Sequence, residues 1–394
     1  MKKLANYKFY ILGMMLLIIP DALTFYLLMP MPGSQNINGL ETAYYLDKIL
    51  WLTRTIGFFL IIPFLQKTFS AKSITAKFTY GGFLIVALTF VYLVGFHFRA
   101  DRIFYEPSVK TFLSKDQNRF PVDRMVLGVE INGKAKAYPL IVVGYHHKIQ
   151  DTVGGKPVLV TYCTMCRSGE VYDPGVNENL PWRLVGMGKW NAIIEDAKTK
   201  SWWYQADGVA GAGPEKGTIL PVIYSEQVTL KSWLERHPNS LILQPDPKYQ
   251  SRYDKLKNYD INFQTSANEI NDGGKLTDNS WVINISDDGI DKYFSWHELQ
   301  KSRVINEVIG KKPILLAIEN DNESFHSWNR TINGEPLTFT ISDRQLTDTK
   351  TNSLWDWNGK CVSGSFKSYQ LLTVSSQQVY WHTWQTFFNK TIKY

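Results

Sequence analysis

This sequence is poor in the residues and motifs that mark most catalytic centres. Only three of its 394 residues are cysteine and only seven are histidine. It lacks the Gly-x-Ser-x-Gly, His-Glu-x-x-His, Walker-loop and dinucleotide-binding glycine patterns, so the local signals for a serine hydrolase, a zinc protease or a nucleotide-binding fold are missing. A net charge of only +7 is far from the strong basic excess of nucleic-acid-binding proteins, and nucleic acid is not an expected partner.

Cysteine is scarce but unevenly placed. Cys163-Thr164-Met165-Cys166 forms a Cys-x-x-Cys, whereas Cys361 has no partner in the sequence and is expected to be a small buried residue. A second Cys-x-x-Cys would have indicated a zinc site strongly, and the sequence has none. Thiol chemistry is therefore expected in one short loop.

The chain contains an internal repeat, and only its first copy carries the Cys-x-x-Cys. Blocks of similar sequence recur in order, at an offset that shrinks slowly as small loop deletions would cause. In this alignment Cys163 falls opposite Glu319, and Cys166 falls near Asn322. The first copy is therefore expected to carry the reactive thiols, and the second copy is expected to have a structural role that supports the first. The aligned blocks are 126–136 with 282–292, 154–159 with 310–315, and 196–203 with 348–355.

Three apolar runs in the first hundred residues predict three transmembrane helices. They cover about 9–29, 49–65 and 78–98, each close to the roughly 20 residues that an α-helix needs to cross a bilayer. A cleaved signal peptide would explain only the first run. The chain is therefore predicted to be a multi-pass protein of the cytoplasmic (inner) membrane, with the lipid bilayer as a partner.

The lysines beside these runs predict the orientation. Lys2, Lys3 and Lys8 precede the first run, and three more lysines separate the second run from the third, whereas Lys48 is alone between the first and second. Because positive charge favours the cytoplasmic side, the N-terminus is expected inside. The region after residue 98 is then expected on the periplasmic or extracellular side.

Two charged residues within the apolar runs are expected to form an ion pair. Asp21 and Arg54 reach similar depths when about 1.5 Å per residue is counted from each flank. Charged groups at such depth usually pair with each other or line a cavity. We expect a structural pair between the first two helices.

Beyond residue 100 the pattern predicts a β-dominated α+β fold that is internally duplicated. Short apolar runs alternate with turn pairs such as Asn132-Gly133, and the helical segments are short, at 229–237 and 380–388. Strands are predicted at 125–131, 158–162, 218–223, 282–285, 314–318 and 337–341. The predicted parts are a membrane anchor (1–100), repeat copy one (101–245), a polar connection (246–280) and repeat copy two (281–394).

Five short motifs of copy one occur in the order found in a known family. They are Ala-Tyr-Pro-Leu at 137–140, His146, Asp-Thr-Val-Gly-Gly at 151–155, Thr-Tyr-Cys-Thr-Met-Cys at 161–166 and Asp-x-x-Thr-x-Ser-x-Trp-x-Gln at 196–205. In these motifs the chain resembles the bacterial family called domain of unknown function 3179. Tyr145 and His147 replace the family's usual Trp and Glu, and Thr164 replaces its usual Pro. The resemblance implies the fold unit and no particular chemistry.

Three interpretations of the cysteine pair remain open. The first is a soft-metal site, because thiolate, thioether and imidazole ligands together select copper or zinc; the candidate ligands are Cys163, Cys166, His146 and Met165, with Met187 as a further thioether. The second is a dithiol/disulfide centre, which an exported position allows. The third is a disulfide or buried thiol pair that only holds a turn.

A non-catalytic binding or scaffold module of the envelope is the alternative function. Aromatic platforms bind sugars, lipids or peptides, but Trp203 and Trp355 recur at matching positions of the two copies, as core residues do. The partner would be an envelope protein or a small ligand. No catalytic residue is assigned, so enzymatic activity stays open. His147 is expected to be exposed, and Asp196 and Asp348 are expected to form turns and not an acid–base pair.

Overall fold

The computed structural model of the protein describes residues 2–70, 72–260 and 275–389, which divide into two compact units. The first unit holds the long apolar helices and one sheet, and the second holds the remaining sheets. Unit one comprises Met1–Tyr105, Leu180–Tyr204 and Val209–Thr218. Unit two comprises Glu106–Asn179, Gln205–Gly208 and Ile219–Tyr394.

Three long helices precede several short ones. The α-helices are α1 (Lys2–Leu28), α2 (Leu40–Ser70), α3 (Ile74–Tyr92), α4 (Ala100–Ile103), α5 (Leu140–His146), α6 (Leu230–Arg236), α7 (Gln250–Tyr253), α8 (Trp296–Ser302) and α9 (Trp381–Phe387). A π-helical turn, Leu93–His97, extends α3, and 3-10 turns lie at Ser34–Asn36, Lys115–Gln117, Gly175–Asn177, Pro247–Tyr249 and Asp254–Leu256.

Short strands dominate the chain after α4, which confirms the predicted β-rich α+β class. The strands before residue 250 are β1 (Phe112–Leu113), β2 (Met125–Ile131), β3 (Lys134–Pro139), β4 (Lys148–Val153), β5 (Lys156–Cys163), β6 (Ser168–Tyr172), β7 (Trp182–Gly188), β8 (Asn191–Asp196), β9 (Trp202–Tyr204), β10 (Ala210–Ala212), β11 (Glu226–Thr229) and β12 (Leu241–Leu243). Those after residue 280 are β13 (Trp281–Asp287), β14 (Ile290–Ser295), β15 (Val304–Ile309), β16 (Lys312–Ile318), β17 (Phe325–Asn329), β18 (Thr331–Ile332), β19 (Glu335–Pro336), β20 (Phe339–Ser342), β21 (Gln345–Asp348), β22 (Leu354–Trp355), β23 (Cys361–Ser363), β24 (Leu372–Thr373) and β25 (Ser376–Tyr380).

The apolar runs form three helices that are long and apolar enough to cross a membrane. The spans are Tyr7–Leu28, Leu40–Ser70 and Ile74–His97, and most of their large apolar side chains face outward, as lipid-facing residues would. The prediction of three candidate transmembrane helices is confirmed. The second span is longer than its apolar run, because α2 already begins at Leu40.

The predicted pair of Asp21 and Arg54 is present within unit one. The Arg54 guanidinium donates from Nε to Asp21 Oδ2 at 3.0 Å and from a second nitrogen to Oδ1. Gly95, in the π-helical turn, packs so closely that an added Cβ would collide with both side chains. Phe96 of the same turn lies under the guanidinium, 4.7 Å from ring centroid to Cζ. The ion pair therefore joins all three helices.

One antiparallel sheet, with the order β10-β9-β8-β7, belongs to unit one and packs on the helix ends. A Cβ added at Gly186 of β7 would meet the carbonyl oxygen of Leu28, so the strand touches the backbone at the end of α1. Lys48 of α2 forms a 3.1 Å ion pair with Glu195 of β8. This sheet is therefore held directly on α1 and α2.

Unit two consists of the remaining sheets and repeats one arrangement twice. In each copy a hairpin is completed by a later antiparallel strand, which gives β3-β2-β11 in the first copy and β14-β13-β25 in the second. A short helix, α5 or α8, follows each hairpin and leads into an antiparallel sheet, which is β4-β5-β6 in the first copy and β15-β16-β17-β24 in the second. The hairpin turns Asn132-Gly133 and Asp288-Gly289 have positive φ at both positions, as the sequence predicted.

The aspartates at the end of β8 and β21 form matching turns. Asp196 Oδ2 accepts hydrogen bonds from the backbone N–H of Ser201 at 3.1 Å and from the Trp203 indole at 2.9 Å. Asp348 Oδ2 accepts the equivalent bond from the Trp355 indole at 3.2 Å. The prediction of structural turns is confirmed, and both tryptophans are buried core residues.

Some local predictions were wrong. Residues 218–223 do not form a strand, because Pro221 has no N–H to donate and the segment pairs through isolated contacts, among them the bridge from Val222 to Tyr172. Strand β20 starts two residues later than expected, at Phe339. The helices α5 and α8 were not predicted. The segment 246–280 contains helical turns between residues 247 and 256, its residues 261–274 lie outside the described part, and the boundaries of the four predicted parts stay a prediction.

Candidate functional site

The Cys-x-x-Cys forms the tight turn between two paired strands. Cys163 ends β5, and the backbone N–H of Cys166 donates to the carbonyl of Cys163 at 3.2 Å before β6 starts at Ser168. Both cysteines are fully buried thiols that lie near each other. A strand, β6, and not a helix follows the turn.

The second copy covers this turn. At the end of β25, the backbone N–H of Tyr380 donates to the Cys166 carbonyl at 2.9 Å, and the Thr383 hydroxyl of α9 donates to the same oxygen at 3.3 Å. Nε2–H of His382 donates to the Met165 carbonyl at 3.1 Å. The Met165 side chain remains 43% exposed. The turn is therefore held by its backbone, with its apex at the surface and its thiols inside.

A buried arginine follows the second cysteine. Arg167 adopts a left-handed backbone conformation with φ of 54°, and its Nε donates to Oε1 of Gln378 at 2.7 Å. Its guanidinium carbon stacks over the Trp281 ring at 3.5 Å from the centroid. Gln227 donates to the same Gln378 oxygen at 3.1 Å. Both copies thus supply groups that fix this cation.

Two tyrosines support the turn from the side of the predicted connection. The hydroxyl groups of Tyr162 and Tyr259 share a hydrogen bond of 3.3 Å, and the Tyr259 hydroxyl donates to the Thr164 carbonyl at 3.1 Å. Burial raises the pKa of Tyr162 to about 12 and also raises the pKa of Tyr259. Both are neutral hydrogen-bonding groups at physiological pH. Sequence reasoning missed Tyr259 because it is nearly a hundred residues from the motif.

The two neighbouring histidines have different environments. His146, the last residue of α5, shares a 2.7 Å hydrogen bond between Nε2 and the Tyr253 hydroxyl and packs against Tyr249. His147 Nδ1–H donates to the Tyr162 carbonyl at 3.1 Å, and burial lowers the pKa of His147 to about 4. The expectation of an exposed His147 was wrong. Its left-handed φ of 61° turns the chain directly into β4, which pairs with β5 in the same sheet.

A metal site is not assembled by the acidic, histidine and cysteine side chains of the described residues. Across 2–70, 72–260 and 275–389, no group of three or more such side chains is placed to hold an ion. The structure does bring Cys163 and Cys166 together. The proposed ligand set that adds His146 and Met165 stays a prediction.

The corresponding turn of copy two carries a carboxylate and an imidazole. Glu319 Oε1 accepts a hydrogen bond from the Ser232 hydroxyl at 2.5 Å and lies 2.6 Å from His326 Nε2. The other ring nitrogen of His326 lies 3.6 Å from Glu226 Oε2. Ser232 belongs to α6 of copy one, just as Thr383 belongs to α9 of copy two. Each copy therefore covers the turn of the other. The covered turn carries two thiols in copy one, and a carboxylate beside an imidazole in copy two.

The comparisons with known proteins agree with the motif order in copy one. A family model described as a protein of unknown function (DUF3179) matches residues 105–391. The match begins just after the apolar helices. No curated protein matches the chain, and no solved structure does. The match covers both copies of the repeat and carries no activity with it.

Proposed function

We propose that this chain, which belongs to the DUF3179 family of proteins of unknown function, is a membrane-anchored envelope protein whose Cys163 and Cys166 work as one dithiol unit. The observation that carries the proposal is the turn itself. A single hydrogen-bonded turn places two buried thiols near each other, and the three candidate spans attach the domain to a membrane.

The expected location of the domain, outside the cytoplasm, allows a disulfide to form between the two cysteines. The lysine distribution favours the periplasmic or extracellular side for the domain after residue 98, where disulfides form and persist. Exchange with a disulfide of a partner would leave Cys163 and Cys166 joined by one S–S bond. The partner disulfide would take up both electrons and both protons and leave as two thiols.

The residues around the Cys-x-x-Cys turn leave one side of it open for a partner protein to approach. Met165 is exposed at the apex, whereas the carbonyl of Cys166 is held by Tyr380 and Thr383 of copy two. Arg167, the residue after the second cysteine, is a buried cation held by Gln378 and Trp281. A partner would therefore approach at Met165, and the contact with copy two would control how far the turn opens.

Binding of a soft metal by the same two sulfurs is the second candidate, and the nearness of the two thiols favours it. Thiolates select Cu(I) and zinc. A structural zinc site takes four protein ligands, and the described residues show no such set. His146 Nε2 already shares a hydrogen bond with Tyr253. Copper(I), which accepts two sulfur ligands, therefore fits the pair better than zinc does.

A thiol count on the full-length protein in detergent tests these alternatives. We expect mild oxidation to remove two thiols from the wild type and none from Cys163→Ser or Cys166→Ser. Cys361→Ser is the matched control, because Cys361 is also buried but lies alone in copy two, and it should still lose two. Stoichiometric Cu(I) binding that is lost in both single variants would instead support the metal site. If the pair neither oxidises nor binds Cu(I), it only holds the turn and the dithiol proposal fails.

A further inference from the structure

A cavity of about 260 Å³ lies between the two copies in unit two. It is smaller than the roughly 300–1,000 Å³ of pockets that bind drug-sized molecules, so its ligand would be small. Copy one contributes β6 and the short segment after β9, and copy two contributes β13 and β25. The lining residues are Glu170, Tyr172, Ala206, Asp207, Val222, Asn284, Ser286, Ser375, Ser376, Gln377 and Phe388.

The charge of this lining has one sign. Glu170 and Asp207 are acidic, and no lysine, arginine or histidine is among the described residues that line the cavity. Tyr172 and Phe388 add aromatic rings, and the faces of such rings attract cations. The lining therefore favours a positively charged ligand over a neutral or negative one.

Glu170 is the buried acid of this cavity. Its Oε1 accepts a 3.2 Å hydrogen bond from the backbone N–H of Val171, and no lysine or arginine of the described residues acts on its carboxyl group. Burial raises the pKa of Glu170 to about 8, while Asp207 and Tyr172 are the other titratable groups of the lining. An ionised Glu170 would therefore gain from a cation that replaces its proton.

A buried acceptor at the same cavity points to a ligand with N–H groups. Gln377 Nε2 donates to the Ala206 carbonyl at 3.3 Å, but no donor within the described residues reaches its Oε1. The side chain of Gln377 is more than nine-tenths buried. An unsatisfied buried acceptor costs about 1–3 kcal/mol, and a ligand N–H that bonded to this oxygen would remove that cost.

We infer that this cavity is a binding site for a small organic ammonium compound, held by the Glu170 carboxylate, the Gln377 amide oxygen and the aromatic rings of Tyr172 and Phe388. Copy two has no equivalent acid, because His326 occupies the position of Glu170 in the paired strands and bonds to Glu319. The site therefore exists once in the domain. It is independent of the dithiol proposal, since neither cysteine lines it.

Calorimetry on the full-length protein in detergent tests the inference with four probes of equal chain length. These are n-butylammonium, butane-1,4-diammonium, butan-1-ol and butyrate. We expect the two ammonium probes to bind, the alcohol and the carboxylate not to bind, and a proton to be released near neutral pH. Glu170→Gln keeps the shape and the Val171 contact but should weaken ammonium binding about tenfold or more, since a hydrogen bond to a charged group is lost.

Two further variants make the result decisive. Asp207→Asn, which removes the other acid of the lining, should also weaken binding, whereas Glu298→Gln, an exposed acid of copy two outside the cavity, should not. Melting curves show whether each variant is folded. Equal binding of butyrate, unchanged affinity in both Glu170→Gln and Asp207→Asn, or no binding of any probe would each overturn the inference. None of these results depends on the state of the cysteines.

Discussion

Cys163 and Glu319 occupy the same position in the two copies. Cys163 is the last residue of β5, and Glu319 directly follows β16. In both cases the residue three positions later donates its backbone N–H back to the carbonyl, at 3.2 Å for Cys163 and 3.1 Å for Glu319. The residue before each one donates to the carbonyl of a left-handed residue that ends the preceding helix, His147 or Arg303. One backbone scaffold therefore holds a thiol in the first copy and a carboxylate in the second.

The contact between Thr383 and the Cys166 carbonyl predicts how the thiols are protected. Thr383→Val removes one hydrogen bond to the turn, worth about 1 kcal/mol, and leaves the bond from Tyr380. We expect the cysteines to react about fivefold faster with a maleimide, because the turn opens more often. Mass spectrometry of the labelled full-length protein measures this rate.

The repeat supplies the control for that experiment. Ser232 is the residue of copy one that corresponds to Thr383, and it bonds to Glu319. Ser232→Ala should disturb the turn of copy two and leave the labelling rate of Cys163 and Cys166 unchanged. Equal acceleration in both variants would mean that the cysteines report general loosening of the domain and not their own covering contact.

The Asp21–Arg54 pair predicts non-additive mutations in the membrane anchor. Asp21→Leu or Arg54→Leu alone leaves one buried charge without its counter-ion, a loss of about 3–5 kcal/mol for a buried pair. The double substitution removes both charges, so we expect its yield of inserted, folded protein to exceed that of either single variant. Fluorescence size-exclusion of tagged protein compares the three. Simple addition of the two losses would argue against a coupled pair.

The lysine pattern predicts the membrane orientation. A reporter that is active only outside the cytoplasm should be active when fused after Tyr394 and inactive when fused near Ser70, between the second and third spans. The reversed pattern would place the cysteine pair in a reducing compartment, and the dithiol proposal would lose its oxidising surroundings.

Because Glu170 is buried, we expect the difference in unfolding free energy between the wild type and Glu170→Gln to depend on pH. The folded pKa of Glu170, about 8, lies above its ordinary 4.5, so the folded state holds the proton more tightly than the unfolded state. This contribution to stability is complete below about pH 4.5 and is lost as the pH rises through 8. We expect Glu170→Gln, which cannot ionise, to match the wild type at low pH and to exceed it near pH 9, by an amount of the order of a few kcal/mol.

Denaturant unfolding of both proteins across this pH range measures the effect. Glu323, whose pKa burial also raises to about 8, is present in both proteins, so its contribution cancels in the difference between them. A constant difference between variant and wild type at every pH would show that Glu170 is solvated in the folded protein. That outcome would also weaken the case for a cation site beside it.

Local patterns in the sequence were sufficient to predict several structural features of this protein. The apolar runs identified the three candidate spans, because a helix in lipid needs about 20 apolar residues. The turn pair Asn132-Gly133 identified its hairpin, because both positions require positive φ. The repeat alignment placed Cys163 opposite Glu319, and the strand register confirms that pairing. Each of these features is encoded by residues close together in the chain.

Contacts between distant segments were decided only in the tertiary structure. His147 is polar, so the sequence favoured exposure, but the backbone turn at that residue buries it against Tyr162. The cavity at Glu170 exists because β6 of one copy packs beside β25 of the other. Periodicity and motifs report which residues share a strand or a turn, whereas the packing of one copy on the other determines which polar groups lose their water and which ones face a cavity.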